Sequence, residues 1–218
     1  MTPHFRSLPD CFIGRVFAGS RAVLVLCLVL ALCGCGWRSS KPVVDNADRE
    51  IHEIRSPDIH FVPTPFEVVE KMLEMADVQK GDVLYDLGCG DGRIVITAAR
   101  KYGCTCVGYD IDPERVIQSM ENVKKYKVED RVRIEQRDVF ELDLSGADVI
   151  TIYLLESLNV KLIPQLEKVK PGTRIVSHDF AMRGVVTPDR SVSLTTGDNN
   201  HHTIHMWVAP LKKNRASE

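Results

Sequence analysis

The chain has 218 residues, enough for one domain of ordinary size and too few for two large ones. Its 44% hydrophobic and 27% charged residues are close to globular averages, which argues against a disordered, collagen-like or multi-span membrane protein. The formal net charge of −2 offers no large positive field to phosphate groups, so nucleic acid is not favoured as a partner.

The first 35 residues have the pattern of a targeting segment. Arg15 and Arg21 precede an unbroken apolar run at 22–33, and small residues follow the run, as in an export signal. A helix over 22–35 would reach about 21 Å, short of the roughly 30 Å hydrocarbon core of a membrane. The run is therefore predicted to be a signal rather than a stable transmembrane helix.

The end of this segment resembles the lipobox of bacterial lipoproteins. Leu32, Gly34 and Cys35 match that pattern, which predicts that Cys35 is lipidated and holds the protein at a membrane. An uncleaved apolar anchor is the alternative. Residues 36–57 are polar and charged without an apolar period, so they are predicted to form a flexible linker.

The body of the chain is predicted to be one α/β domain at 58–210, followed by a charged tail at 211–218. Apolar spacing predicts a helix over 65–76, with Thr64 as its N-cap and Pro65 in the first helical position. The other predicted elements are strands over 82–87, 105–109, 131–136, 148–153 and 173–177, and helices over 94–102, 113–126 and 160–169. Strands that alternate with helices form a parallel, doubly wound sheet of the Rossmann-like kind.

The end of the body departs from this alternation. Two β-rich runs at 191–195 and 203–208 flank a turn at 197–200, which predicts a closing antiparallel hairpin and seven strands in all. No clear helix is predicted between Phe180 and Ser191, so the last crossover is expected to be a loop.

A glycine-rich loop follows the first strand. Asp86 stands before Gly88, Gly90 and Gly92, which lie at alternate positions between a strand and a helix. Glycine there lets the backbone turn sharply and approach a ligand closely. The spacing is GxGxG, whereas the dinucleotide fingerprint is GxGxxG.

Two further acids follow the next two strands. Asp110 ends the second strand, where a carboxylate can accept from both hydroxyls of a ribose, while Asp112 is placed to cap the following helix. Asp138 follows the third strand and is placed to meet an adenine amino group, with Val139 or Phe140 on the ring face. The alternatives are a loop-satisfying role for Asp86, a capping role for Asp110 and a solvated loop acid at Asp138.

Together these motifs resemble the class I S-adenosylmethionine (SAM)-dependent methyltransferases over residues 61–210. The resemblance implies that Asp86 and the glycines meet the methionine end of SAM, that Asp110 holds the ribose and that Asp138 meets adenine. The closing hairpin agrees with that family, whereas a nicotinamide dehydrogenase would be the outside alternative.

A narrower resemblance is carried by three segments. Residues 61–65 (FVPTP), 152–155 (IYLL) and 177–180 (SHDF) are similar to the membrane-associated protein-lysine methyltransferases that modify the ATP synthase c subunit and the adenine nucleotide translocase. It implies a lysine acceptor and, often, an apolar amino-terminal anchor. A small-molecule or RNA methyltransferase and a SAM-binding module without turnover remain alternatives.

The acceptor is expected near the ends of the fourth and fifth strands. The polar candidates there are Tyr153, Glu156, Asn159, His178 and Asp179, each of which has a structural alternative. An NPPY or DPPY motif, which methyltransferases of adenine and glutamine amines carry after the fourth strand, is absent. That absence disfavours a nucleobase amine as the acceptor and leaves the base unassigned.

The sequence predicts no metal site. The body contains three cysteines, Cys89, Cys104 and Cys106. Their spacing indicates neither a disulfide framework nor a zinc site, and they are expected to be reduced core residues. His201, His202 and His205 lie in one strand, where successive side chains face opposite ways.

The side of the membrane is left open by the sequence. A lipoprotein signal would send the domain outward, whereas SAM is made in the cytoplasm. Keeping the domain inside would require Arg15 and Arg21 to cross the membrane, against the positive-inside tendency.

Overall fold

The structure is a computed structural model that describes Ser56 and residues 60–214. The predicted targeting segment at 1–35, nearly all of the linker at 36–57 and the last four residues of the tail lie outside the described residues. Among the described residues, no helix is long and apolar enough to cross a membrane.

The described domain alternates helices and strands as the sequence predicts. The helices are α1 (Phe66–Met75), α2 (Arg93–Tyr102), α3 (Pro113–Tyr126), α4 (Glu156–Lys161) and α5 (Ile163–Leu166). The strands are β1 (Val83–Leu87), β2 (Thr105–Asp110), β3 (Val132–Gln136), β4 (Val149–Ile152), β5 (Arg174–His178), β6 (Arg190–Thr195) and β7 (His201–Val208). A short 3-10 helix covers Val139–Glu141.

The strands form one seven-stranded sheet in the order β3-β2-β1-β4-β5-β7-β6. Strands β1 to β5 are parallel, whereas β7 runs antiparallel to both β5 and β6. The predicted α/β fold with a closing hairpin is therefore confirmed. The strand order reverses between β1 and β4, and ligands of open α/β sheets bind at such a point, beyond the carboxyl ends of the strands.

An apolar core lies on each face of the sheet. Leu84 of β1 packs into the core that α1, α2 and α3 cover, and Leu87 packs into the core that α5 and residues 181–186 cover. Alternate strand residues face opposite ways, so both faces of β1 are buried. Each fully buried leucine contributes about 1.5–3 kcal/mol relative to an exposed one. The three cysteines of the body, Cys89, Cys104 and Cys106, are buried and form no disulfide bond.

The start of α1 differs from the prediction. Pro65, not Thr64, is the N-cap residue, and no side chain caps this helix end. Thr64 instead places its hydroxyl 3.2 Å from Nδ1 of His178, which lies 114 residues further along the chain. The prediction of a Thr64 cap was therefore wrong, because a tertiary contact takes the hydroxyl group. By contrast, Asp112 accepts a hydrogen bond of 2.8 Å from the amide of Glu114 and caps α3 as predicted.

The helix predicted over 160–169 is also different. It begins earlier, at Glu156, and is divided at Leu162 into α4 and α5. Pro164 explains the division, because proline has no N–H and its ring clashes with the carbonyl group four residues before it. No helix is present between Phe180 and Arg190, as expected.

The domain continues slightly beyond residue 210. Lys213 forms a β-bridge with Val186, and the amide of Asn214 donates to the carbonyl oxygen of Val185 over 2.8 Å. Leu211 packs against the second core. The first residues of the predicted tail thus contribute to the domain.

Candidate active site

A cleft lies beyond the carboxyl ends of β1, β2, β3 and β4 and contains about 920 Å³ of empty space. This volume includes the open solvent at the mouth of the cleft. Seven residues nominated as ligand or acceptor contacts line it, namely Asp86, Gly88, Asp110, Asp138, Val139, Phe140 and Tyr153, whereas the nominated Gly90 and Gly92 do not. The three carboxylates predicted on successive strand ends therefore share one cleft.

Asp86 is the most buried of these carboxylates. Its Oδ1 accepts a hydrogen bond of 2.7 Å from the hydroxyl group of Thr151, on the neighbouring strand β4. Its Oδ2 is buried and has no hydrogen-bond partner among the described residues. Burial raises the pKa of Asp86 to about 7, against the opposing effect of the Thr151 hydrogen bond. A buried carboxylate oxygen without a partner is suited to a cationic ligand group.

The glycine loop packs closely against neighbouring segments, one of which lines the cleft. Gly90 has a φ of +56°, and a Cβ atom there would lie 2.1 Å from the ring of Phe61. Gly92 has a φ of +79° and begins α2, where a Cβ atom would lie 3.1 Å from Cβ of Ser119 on α3. Both positions therefore combine a left-handed backbone with a close approach, which favours glycine.

Asp110 connects the second strand to the glycine loop. Its Oδ2 accepts from the amide of Gly90 over 2.8 Å, and its Oδ1 accepts from the amide of Asp112 over 3.0 Å. Burial raises the pKa of Asp110, while these backbone hydrogen bonds oppose the rise. A carboxylate has about four lone-pair sites, so two remain for hydroxyl groups of a ligand.

Asp138 has two roles at the end of β3. Its Oδ1 accepts from the amide of Phe140 over 2.9 Å and so caps the 3-10 helix. Asp138, Val139 and Phe140 all line the cleft, which puts an acidic group beside an apolar wall. Asp138 thus both caps the 3-10 helix and lines the cleft.

A segment before α1 covers one side of the cleft, although no role is predicted for it from local motifs. Its members His60, Phe61, Val62 and Thr64 line the cleft. The guanidinium group of Arg115 lies 5.2 Å from the centre of the Phe61 ring, and Arg93 donates to the carbonyl oxygen of Thr64 over 2.8 Å. The FVPTP pattern at 61–65 is a sequence signal for this segment, but no local pattern predicts that the segment lines the cleft.

The acceptor-side candidates do not all reach the cleft. Tyr153 lines it, and its ring is stacked on that of His178 with 3.9 Å between the centroids. Asn159 is fully buried and donates to Ser177 and to the carbonyl oxygen of Phe180, which holds the turn after β5. Burial lowers the pKa of His178 to about 4, against the effect of the Asp179 carboxylate. His178, Asp179 and Asn159 thus lie outside the cleft wall, and the ring of His178 contacts that of Tyr153.

Glu156 and the histidines of β7 have other neighbours. Glu156 begins α4 and lies 3.6 Å from the guanidinium group of Arg183. His201 and His205 contact the hydroxyl groups of Thr195 and Ser191 on β6. His202, on the opposite face, contacts His178 and Asp179.

The residues of the cleft fit SAM. Oδ2 of Asp86 would receive the α-amino group, Asp110 would hold the ribose and Asp138 with its apolar neighbours would hold adenine. The orphaned oxygen of Asp86 and the close backbone at Gly90 are the observations that support this fit. The fold and the cleft together define a methyltransferase of the class I type.

Comparisons with known proteins agree with this class. Residues 86–190 match the family model described as the ANTKMT methyltransferase domain. A protein-lysine N-methyltransferase of Saccharolobus islandicus is 45% identical over 70% of this chain and 94% of its own length. The human lysine N-methyltransferase of the ATP synthase c subunit is 29% identical over 58% of this chain and 54% of its own length.

A solved structure is similar over the same region. It is the crystal structure of an RNA methyltransferase from Salinibacter ruber in complex with S-adenosylhomocysteine (SAH). The match has 50% identity and a TM-score of 0.64, and it covers 71% of this chain and 97% of the other. The chain belongs to the class I SAM-dependent methyltransferases, in the group that includes the ANTKMT domain, and SAM is its cofactor.

The membrane predictions are separate from this assignment. The signal, the lipidated Cys35 and the side of the membrane all rest on residues outside the described part of the chain. They stay predictions from the sequence.

Proposed function

We propose that the protein methylates lysine side chains of a protein acceptor. The observation that carries this proposal is the 45% identity to a protein named as a protein-lysine N-methyltransferase, over nearly the whole length of that relative. The name of the human relative also specifies a lysine, although the chain spans only about half of that protein.

Methylation of lysine makes two demands on the site. When bound, SAM supplies a methyl group on a sulfonium sulfur; transfer to the lysine Nζ forms an N–C bond, breaks the S–C bond and leaves SAH. The lysine must first lose a proton, because its ordinary pKa of about 10.4 leaves little neutral amine at pH 7. The protein must therefore desolvate the amine and place its lone pair in line with the methyl group.

The acceptor side of the cleft is suited to the first demand. Tyr153 and Leu154 line the cleft from the loop after β4, Leu158 lines it from α4, and Phe140 lines it from the 3-10 helix. Apolar walls disfavour an ammonium ion and so favour the neutral amine. Burial raises the pKa of Tyr153, so its phenol stays protonated and is able to hydrogen bond with Nζ.

The charge around the cleft supports a cationic acceptor. Five aspartates line the cleft, and one of its two arginines, Arg93, is paired with Asp91 at 2.6 Å. A lysine approaching from water meets an acidic surface, and this attraction increases its local concentration. The absence of an NPPY-type motif after β4 also argues against a nucleobase amine.

RNA is the second candidate acceptor. It is favoured by the name of the Salinibacter ruber protein, an RNA methyltransferase that is 50% identical to this chain. It is disfavoured by the net charge of −2 and by the acidic cleft, because phosphate contacts dominate the affinity of proteins for RNA. One experiment with both acceptors separates the two candidates.

The purified full-length protein is incubated with methyl-labelled SAM and either total cellular protein or total RNA. We expect label in the protein fraction that is released by protease, and mass spectrometry should place the added methyl groups on lysine. The Asp110→Ala variant is the control and should give no label. Label in RNA alone would replace the proposal by the second candidate, and SAM binding without label in either would identify a binding module.

A further inference from the structure

Three possible metal ligands meet behind Tyr153, at the carboxyl end of β5. Nε2 of His178 lies 2.9 Å from Nδ1 of His202 on β7. Oδ2 of Asp179 lies 3.2 Å from Nε2 of His178 and 3.1 Å from Nδ1 of His202. Within the described part of the chain, these residues are a group that could hold a metal ion.

Hydrogen bonds alone do not satisfy this triangle. A neutral imidazole nitrogen either donates or accepts, and an ionised carboxylate oxygen only accepts. Each atom is either a donor or an acceptor, so in a triangle of three atoms at least two neighbours must both be donors or both be acceptors. With Asp179 ionised, at least one of the three short contacts is therefore repulsive, whereas a cation held just out of the plane of the three atoms would attract all three lone pairs.

The separations agree with shared coordination of one ion. Ligand atoms that bind at about 2.0–2.1 Å lie about 3.3 Å apart at a tetrahedral angle and about 2.9 Å apart at a right angle. The three separations of 2.9, 3.2 and 3.1 Å fall in this range. Two imidazoles and one carboxylate are a ligand set that zinc and other divalent first-row metals accept.

Neighbouring groups hold two of the three ligands in place. Nδ1 of His178 contacts the hydroxyl group of Thr64 at 3.2 Å. Oδ1 of Asp179 accepts from the amide of Thr203 over 2.7 Å, which leaves Oδ2 directed at the histidines. Partners of this kind orient metal ligands. Asp179 also has a φ of +58°, a left-handed conformation that is uncommon outside glycine.

The position of His202 also depends on the triangle. Its Nε2 is buried without a hydrogen-bond partner among the described residues, so its ring is oriented through Nδ1. The His178 side chain is fully buried, whereas 13% of His202 and 28% of Asp179 are exposed. Water can therefore reach the triangle from the side of these two residues and supply a further ligand.

We propose that His178, Asp179 and His202 bind one divalent transition-metal ion, of which zinc is the first to test. This departs from the sequence expectation of no metal site. The ion joins β5 to β7 and fixes the His178 ring, on which Tyr153 is stacked. The site thus supports the acceptor wall from behind and is separate from the carboxylates that hold SAM.

The test uses the full chain, stripped with a chelator and then titrated with Zn²⁺ and, separately, with Co²⁺. We expect one equivalent of Zn²⁺ per chain, a higher melting temperature with zinc, and visible absorption bands from bound Co²⁺. His202→Ala and Asp179→Ala should each bind at least about 100-fold more weakly, because loss of even a supporting residue costs 10–100-fold. His201→Ala is the matched control and should bind like the wild type.

SAH affinity, measured on each variant without metal, shows that the variants are folded. Two results would overturn the proposal: no stoichiometric zinc on the wild type, or equal loss of zinc from His201→Ala and from His202→Ala. The first would establish a hydrogen-bonded cluster, and the second would place the metal elsewhere on the chain.

Discussion

The carboxyl ends of β1 to β3 and those of β4 and β5 both carry polar side chains, but they are assembled in different ways. On the first side, Asp86 and Asp110 lie in the last two residues of β1 and β2, Asp138 follows β3, and all three line the cleft. On the second side, only Tyr153 of the five candidate residues lines the cleft, and His178 packs against its ring from outside the cleft. The cofactor side is thus built from local motifs, and the acceptor side from contacts between distant segments.

The largest expected effect concerns Asp110, on the cofactor side. Asp110→Ala should weaken SAH binding about 100-fold, because hydrogen bonds to a charged group contribute about 1.5–3 kcal/mol each. Isothermal titration calorimetry measures the affinity. Asp112→Asn is the control, because it removes a negative charge two residues from Asp110 and keeps a side-chain oxygen that can cap α3. Equal losses in both variants would mean that general charge, rather than the position of Asp110, decides the affinity.

The second effect separates backbone strain from contact within the glycine loop. Gly90→Ala should weaken SAH binding by at least about tenfold, or about 1.4 kcal/mol, because the new Cβ would displace the Phe61 ring that lines the cleft. Gly184→Ala is the matched control for backbone strain, because φ there is +77° and no atom lies within 4 Å of the new Cβ. Gly184→Ala should lower the melting temperature and leave SAH affinity unchanged. Weakening of SAH binding by both would contradict the close approach at Gly90.

The third effect is a pH dependence that arises from Asp86. Its folded-state pKa of about 7 lies above its ordinary value, so the ionised form is disfavoured without cofactor. The contribution of Asp86 to the stability of the cofactor-free protein should therefore be greatest at acid pH and fall as the pH rises from about 4 to about 7, while His178, whose pKa is lowered to about 4, acts in the opposite sense. Thermal melts of Asp86→Asn should lack this fall.

Cofactor binding should show the opposite trend with pH. SAM carries a cationic amino group and requires the ionised carboxylate, so its affinity should fall toward tenfold per pH unit below about 7. Calorimetry in two buffers of different ionisation enthalpy should detect the proton that is released on binding near pH 6. An affinity that is constant between pH 6 and 8 would place the Asp86 carboxylate away from the ligand.

The smallest effect belongs to the acceptor side. Tyr153→Phe should lower kcat/KM for a lysine acceptor about fivefold, the value of one hydrogen bond of about 1 kcal/mol. Its SAH affinity should not change, because the ring and its stacking on His178 are kept. A loss of SAH affinity instead would mean that the two sides of the cleft are not separable.

The same difference explains what the sequence could predict. The succession of strands and helices along the chain and the positions of the three acids follow from local patterns, because each acid stands at the end of the strand that positions it. The role of Thr64 was mistaken, since its partner His178 is 114 residues away. The Phe61 ring over Gly90, and the meeting of His178 with His202, likewise depend on tertiary structure and leave no local signal.

A crystal structure of the SAH complex tests the central claim most directly. We expect one SAH in the cleft, with its amino group at Oδ2 of Asp86, its ribose hydroxyls at Asp110 and its adenine beside Asp138. A nucleoside bound elsewhere, or bound here without contact to any of these carboxylates, would contradict the account.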